Sequence, residues 1–468
     1  FFNMSSPAGS VGAADGEEGS NPSAAASSDT SGEDQLVSSF ADLRNVSESG
    51  FGKALSQAQA WRSNQRAMKE MDIERLGAVM EKLEGNVIGG LFVLVTISDS
   101  AKRAAQVDVL LEECEKFFHS VKREDVEVVM KEWYALFRNI ATRIVGSPQR
   151  CFYFAPVMVK TYIQTAGLAS VLTPIHLDCV QVCLVARNYR LALEVCKNPI
   201  LDAVSEMNGF ELIQYFYYAA RAFATLKHFE KAIESYFLCL SIPSNVVTKV
   251  HICAYQQVLL VSLIHRGEIP TLPKHANAAL SMRQKSGESK HFGPYLQLAD
   301  HFTKNDPLLQ KFISTNEKRW VQDNNMGLVK QVEKASFQRK ALRVERAFLT
   351  YRVSDLAKKL EISELELLHL LDEMVDEGLI TASVDQTTQV VEFKGDDSTM
   401  HKNYSQQLDS QMKALEFYLD AIKTTESEIT QSTGFLKKVA RISSKQTTTS
   451  SMFAGSTENT MEWSGDQD

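Results

Sequence analysis

The chain has 468 residues, and its 50 basic and 58 acidic side chains leave a net charge of -8 at pH 7. That length allows two or three structural units, while the evenly mixed charge argues against a broad electrostatic footprint for nucleic acid or an anionic membrane. The seven cysteines (Cys114, Cys151, Cys179, Cys183, Cys196, Cys239 and Cys253) are an odd number set in apolar helical segments. They predict buried free thiols in a reducing compartment, the cytoplasm, the nucleus or both.

The start, Phe1-Phe2-Asn3-Met4, lacks the basic and apolar regions of a signal peptide, so no secretion is expected and the written start need not be the native one. Residues 1–35 are Ser, Ala, Gly, Asp and Glu with almost nothing apolar. Ordering them would cost entropy that no burial offsets, which predicts a disordered tail. The most apolar stretch, Val87 to Ile97, contains two glycines and falls well short of the roughly 20 residues a membrane span needs. It predicts a buried helix and no membrane anchor.

From residue 36 to residue 325 the apolar spacing is helical, as in Val107, Leu110, Leu111, Cys114, Phe117 and Phe118. Breaks recur at Gly146-Ser147-Pro148, Asn198-Pro199, Ile242-Pro243 and Asn305-Asp306-Pro307, which predicts short helices joined by short turns. Arg187-Asn188-Tyr189-Arg190-Leu191-Ala192 aligns with Lys227-His228-Phe229-Glu230-Lys231-Ala232 at a spacing of 40. A polar turn, an aromatic residue to fill the joint and an alanine for close helix approach make a tetratricopeptide-like hairpin. A third turn at Ile264-His265-Arg266-Gly267 is followed by Pro270 and Pro273, so the expected array is an irregular right-handed solenoid.

The pattern changes near residue 326. Helices are predicted from Gln331 to Phe348, from Ser354 to Leu360 and from Glu364 to Glu377, with Ser354 and Ser363 as N-caps and Gly378 as a left-handed C-cap. Ile380 to Val384 then alternates with period two, Asp385 to Thr388 turns, and Gln389 to Phe393 reads as a strand. Three helices and a hairpin predict a winged helix over 326–395, and Ile380, Ala382, Val384, Val391 and Phe393 are the candidate wing edge for strand addition. Over 400–440 a terminal helix follows, with Leu408, Met412, Leu415, Leu419, Ile422 and Ile429 at steps of 4, 3, 4, 3 and 7. Glu426 alone interrupts this a/d seam, which predicts a place in a helical bundle. Residues 441–468 are rich in Ser and Thr and read as a second loose tail.

Chemistry is hard to place. No two of the ten histidines are two or four residues apart, so paired-histidine metal motifs have no basis. His176, Cys179 and Cys183 share one helical face, but no second ligand pair follows, and a core helix with small thiols is the expectation. Gly50-Phe51-Gly52-Lys53 lacks the third glycine of a phosphate loop, and no G-x-S-x-G elbow occurs. No catalytic residue, no metal and no cofactor is therefore expected. The third winged-helix segment carries Glu364, Glu366, Asp372, Glu373, Asp376 and Glu377 with no cation, which argues against reading DNA. The first of the three segments is basic, with Lys330, Lys334, Arg339, Lys340, Arg343 and Arg346 against Glu333 and Glu345, which reads mostly as a solvated face and leaves a nucleic-acid adaptor through 330–346 as a distant alternative.

Helical repeats running into a winged helix resemble the PCI family, shared by the proteasome lid, the COP-nine signalosome and translation initiation factor three. Several motifs resemble its signalosome branch. They are Thr173-Pro174-Ile175-His176-Leu177-Asp178-Cys179 with Cys183-Leu184, Tyr215-Phe216-Tyr217-Tyr218, Leu226-Lys227-His228-Phe229-Glu230-Lys231-Ala232, Asp323-Asn324-Asn325-Met326-Gly327-Leu328-Val329-Lys330-Gln331, Phe348-Leu349-Thr350, and Asp409 to Glu428. The likeness spans about residues 100 to 430. It implies a non-catalytic scaffold in a complex that removes Nedd8 from cullins, with the zinc isopeptidase in another subunit. It also implies that the wing joins a line of winged helices, that the terminal helix enters a shared bundle, and that cullin-based ubiquitin ligases are indirect partners. A homologous subunit of the proteasome lid or of the initiation factor is the alternative.

Overall fold

The computed structural model describes residues 76–440, apart from residues 84, 101–103, 166–169, 245, 274–275, 277–290, 386–387 and 394–396. Both expected tails and the Gly50 to Lys53 segment lie outside the described residues. The chain divides between Ala341 and Leu342 into two compact units.

In the first unit the elements run α1 (Leu76–Lys82), α2 (Val87–Ser100), α3 (Ala104–Ser120), α4 (Arg123–Val126), a 3-10 turn (Glu127–Val129), α5 (Met130–Ile144), α6 (Pro148–Thr165), β1 (Val171–Leu172), α7 (Pro174–Val185) and α8 (Tyr189–Val195). They continue with β2 (Asp202–Ala203), α9 (Gly209–Thr225), α10 (Phe229–Ser241), α11 (Lys249–His265), α12 (Gly293–Lys304), α13 (Leu309–Thr315), α14 (Glu317–Gln322) and α15 (Met326–Ala347). The two short strands make one parallel rung pair, Val171 with Asp202 and Leu172 with Ala203.

Helix starts and stops here have local causes. Capping boxes open several helices, among them α7 (Thr173 with His176), α9 (Asn208 with Glu211) and α11 (Thr248 with His251). In each, the side chain three residues into the helix turns back to the N-cap backbone N–H and satisfies a donor the helix cannot. The ends are equally regular. Arg187 and Lys227 adopt left-handed φ of 57 and 61°, Asn305 and Asn324 53 and 55°, and Glu361 and Gly378 61 and 67°. After each, the next N–H reaches back five residues, as in Asn188 N to Cys183 O at 2.9 Å and His228 N to Phe223 O at 2.9 Å. This is the Schellman closure, usually carried by glycine. Five of these six positions are not glycine, so only Gly378 announces its cap in the sequence.

The 40-residue repeat holds: Ala192 and Ala232 are fully buried where α8 and α10 approach their partner helices, with Tyr189 and Phe229 packed against the same core. Gly267 repeats the left-handed turn at φ 74°, and its missing side chain leaves room for the guanidinium of Arg339, which donates to the carbonyl of His265 at the end of α11 (3.1 Å). Phe118, Trp133 and Phe137 form an aromatic knot with ring centroids 5.1–5.5 Å apart. Helix α11 is buried on nearly every side. Val258 and Val261 belong to the core that starts at Leu76, whereas Leu259, Leu260 and Leu263 join Tyr295, Leu298, Trp320, Val329 and Val332 in a second core.

The second unit holds β3 (Thr350–Arg352), α16 (Val353–Leu360), α17 (Glu364–Asp376), β4 (Ala382–Asp385), β5 (Val390–Phe393) and α18 (Asp397–Gln431). Its sheet has the order β3-β5-β4, antiparallel throughout, with Thr350 opposite Glu392 and Ala382 opposite Phe393. Leu356, Leu367, Leu371, Met374, Val391 and Phe393 form its core. Two details depart from the expectation. Strand β3 went unread because three residues are too few for a period. Ser354 is not an N-cap: Arg352 holds that position, and the Val353 N–H is satisfied by the Gln389 carbonyl at 3.0 Å. The division between the units falls inside α15, whose Val329, Val332 and Ala335 belong to the second core of the first unit.

Candidate assembly surfaces

The terminal helix is the most exposed apolar element. Leu408, Met412, Leu415, Leu419, Ile422 and Ile429 are 46–61 % exposed, and every described side chain of the helix from Leu408 onward lies open or nearly so. A bend at Ser432 follows, and residues 433–440 are helical again, with the Phe435 N–H capped by Ser432 Oγ at 3.3 Å. Leu436 stands seven residues beyond Ile429 and is 54 % exposed, with Phe435 and Val439 beside it. The sequence reading stopped at Ile429, although the heptad step to Leu436 was available there.

The wing is placed differently from the expectation. Strand β5 is the central strand, so Val391 and Phe393 have partners on both sides and side chains in the core, and Ile380 is buried as well. Val391 and Phe393 therefore offer no free backbone edge, and none of the three offers an exposed apolar side chain. The cause is β3, which takes the second side of β5. The outer strands are β4, with Ala382 and Val384 half-buried, and β3. Beside β3, Leu349 is 78 % exposed, and Phe348 and Tyr351 make an edge-to-face pair at 5.1 Å under the Lys359 ammonium. No periodicity marked that patch.

On α17 the acidic side chains stand outward around buried Leu367, Leu370, Leu371 and Met374, with Leu365 81 % exposed among them. The basic helix α15 spends part of its charge internally: Arg339 holds the α11 carboxyl end, and Lys340 lies over the Phe337 ring at 5.6 Å.

The buried polar groups of the first unit are structural in their geometry. His176 Nδ1 accepts from the Thr173 N–H at 3.0 Å, so its proton resides on Nε2, which meets the Tyr162 hydroxyl at 2.8 Å. Burial holds this imidazole well below its ordinary value, at about 4. The thiols of Cys179 and Cys183 are buried, and burial pushes Cys183 up to about 12, so neither is poised as a thiolate. No group of three His, Cys, Asp or Glu with metal-holding geometry occurs among the described residues. Arg138 bridges Asp178 at 2.8 Å and Glu211 at 2.7 Å, joining α5, α7 and α9, while burial raises Asp178 to about 7 against the pull of Arg138.

A second network explains the Asp323 to Met326 motif. Tyr236 donates to Gln257 (2.7 Å), Gln257 to Asn325 (3.2 Å), Asn325 to Tyr295 (2.8 Å) and Tyr295 to Asp323 (2.9 Å). Asn324 supplies the left-handed turn between its neighbours. Three polar residues in a row thus stop α14, start α15 and tie α10, α11 and α12 together.

Helical repeats without a reactive cluster among the described residues, a winged-helix unit and an uncovered apolar helix define a mainly helical repeat protein with a C-terminal PCI domain. A family model described as "COP9 signalosome complex subunit 3, N-terminal helical repeats" matches residues 53–280, and the PCI domain matches residues 300–395. The chain is 24 % identical over 374 residues to the COP9 signalosome complex subunit 3 of Dictyostelium discoideum, covering 76 % of this chain and 87 % of that one. It is 31 % identical over 232 residues to the protein of the same description in Arabidopsis thaliana, covering 48 % of this chain and 52 % of that one. Both family models and both relatives thus liken the chain to COP9 signalosome third subunits, with helical repeats followed by a PCI domain.

Proposed function

We propose that this chain is a non-catalytic scaffold subunit of the COP9 signalosome, supporting removal of Nedd8 from cullins and so regulating ubiquitin-dependent degradation in the cytoplasm and nucleus. The observation that carries the reading is the terminal helix: six apolar seam residues remain about half exposed or more on a helix of 35 residues. A lone helix with such a stripe exposes apolar surface that water disfavours, whereas a shared bundle buries it. Its partners are helices of other subunits, among them further PCI-domain and metalloprotease-like chains, and cullin ligases are reached through them. The outer edge of β4 serves as a second contact, for pairing with a neighbouring wing.

Removing residues 409–468 tests the reading. The truncated chain is expected to fold, because the described residues from 409 onward lie open or nearly so, and to lose stoichiometric co-purification with the other signalosome subunits. Retention at the full-length level contradicts the bundle role.

A further inference from the structure

The seam has one defect, and it carries information about the partner. Stepping by 4 and 3 from Leu408 gives core positions 412, 415, 419, 422, 426 and 429, and Glu426 is the only charged residue among them. It is exposed and has no hydrogen-bond or ion-pair partner among the described residues, since the nearest cation on its own face, Lys423, leans towards Asp420 at 3.9 Å. A carboxylate closed into an apolar layer without a counter-charge is strongly disfavoured.

A second copy of this chain supplies no counter-charge. In a parallel pair Glu426 meets Glu426. In the antiparallel pair that sets Met412 against Ile422 and Leu415 against Leu419, Glu426 meets Leu408 at both ends. Both arrangements bury two unpaired carboxylates, while a single polar core residue is a known way of fixing register and partner choice in helix bundles.

We propose that Glu426 sets the register and partner of the terminal helix by pairing with a lysine or arginine at one core layer of an otherwise apolar helix from a different chain. This rests on reading the helix as a bundle element, and it adds the chemistry of the partner: apolar, with one cation opposite Glu426. The same carboxylate keeps the free chain from pairing with itself.

Two designed helical peptides of three heptads test this, both with Leu at every core position but one, where the first has Lys and the second Glu. Binding to the purified full-length chain is measured by titration calorimetry. The Lys peptide is expected to bind at least 10-fold more tightly to the wild type, and Glu426→Lys is expected to invert that preference. Glu428→Lys, two residues along the helix and off the core positions, is expected to leave it unchanged. Sedimentation of the chains alone is the second measurement: Glu426→Leu self-associates at concentrations where the wild type is monomeric. Equal binding of both peptides, or a preference indifferent to Glu426→Lys, overturns the role of Glu426 while leaving a docking helix. Binding of neither peptide overturns the docking helix and this inference with it. A wild type that self-associates as strongly as Glu426→Leu also overturns it, because the carboxylate then excludes nothing.

Discussion

At the residue scale, the left-handed caps decide where helices end, and they do so with side chains that resist the conformation. Lys227 and Glu361 hold φ near 61°, where a Cβ crowds the carbonyl and glycine does not. Replacing either by glycine is expected to raise stability by about 0.5–1 kcal/mol, part of the relieved strain being returned as glycine's larger unfolded-state entropy. A higher urea midpoint at an unchanged slope is the check. His176 makes a pH-dependent contribution whose sign follows from the burial of its neutral form. The folded chain holds it at about 4 against about 6.5 when unfolded, so the unfolded state binds the extra proton between those values. The contribution is therefore complete above about pH 6.5 and is lost as pH falls towards 4, by about 2 kcal/mol between pH 7 and pH 5. His176→Gln keeps an acceptor for the Thr173 N–H, and its urea midpoint is expected to be flatter than that of the wild type over this interval. Equal pH dependence in the two would place the titration elsewhere. At Asn325, alanine leaves Gln257 and Tyr295 with broken partners inside the second core, and a loss of about 2–3 kcal/mol is expected from urea unfolding.

At the element scale, legibility in the sequence followed period and length. The helices of the first unit, the 40-residue hairpin repeat, the Ser363 capping box and the Gly378 cap were all readable, because each rests on several residues at fixed steps. Strand β3 was not, since its three residues take their conformation from pairing with β5 across 40 residues of chain. That one omission misassigned Val391 and Phe393 to an outer edge. Caps at Arg187, Lys227, Asn305, Asn324 and Glu361 were hidden because nothing in a charged or amide side chain announces a left-handed turn. The terminal seam was legible as a spacing and is an exposed stripe in the structure. Each seam residue contributes roughly 1.5–3 kcal/mol if fully buried. Changing Leu415, Leu419 and Ile422 together to serine is thus expected to abolish assembly while leaving the melting temperature of the isolated chain within about 2 °C, since surface changes outside a core move stability little. A large drop in that temperature would mean the helix packs on its own chain.

At the scale of the whole molecule, the same physics appears twice with opposite outcomes. In the first unit, helix faces are satisfied by neighbouring repeats, and Tyr236, Gln257, Asn325, Tyr295 and Asp323 form one connected polar network in the interior. In the terminal helix an apolar stripe and a lone carboxylate stand uncovered. The first arrangement closes on itself, and the second is the surface on which the proposed assembly rests. The central claim is that this chain works by joining helices of other subunits through residues 408–429. Native mass spectrometry of complexes isolated on the tagged full-length chain, beside the chain lacking residues 409–468, tests it most directly. The account predicts a stoichiometric multisubunit signalosome for the first and a folded monomer for the second. Intact complexes of equal mass and yield, differing only by the deleted residues, would contradict it.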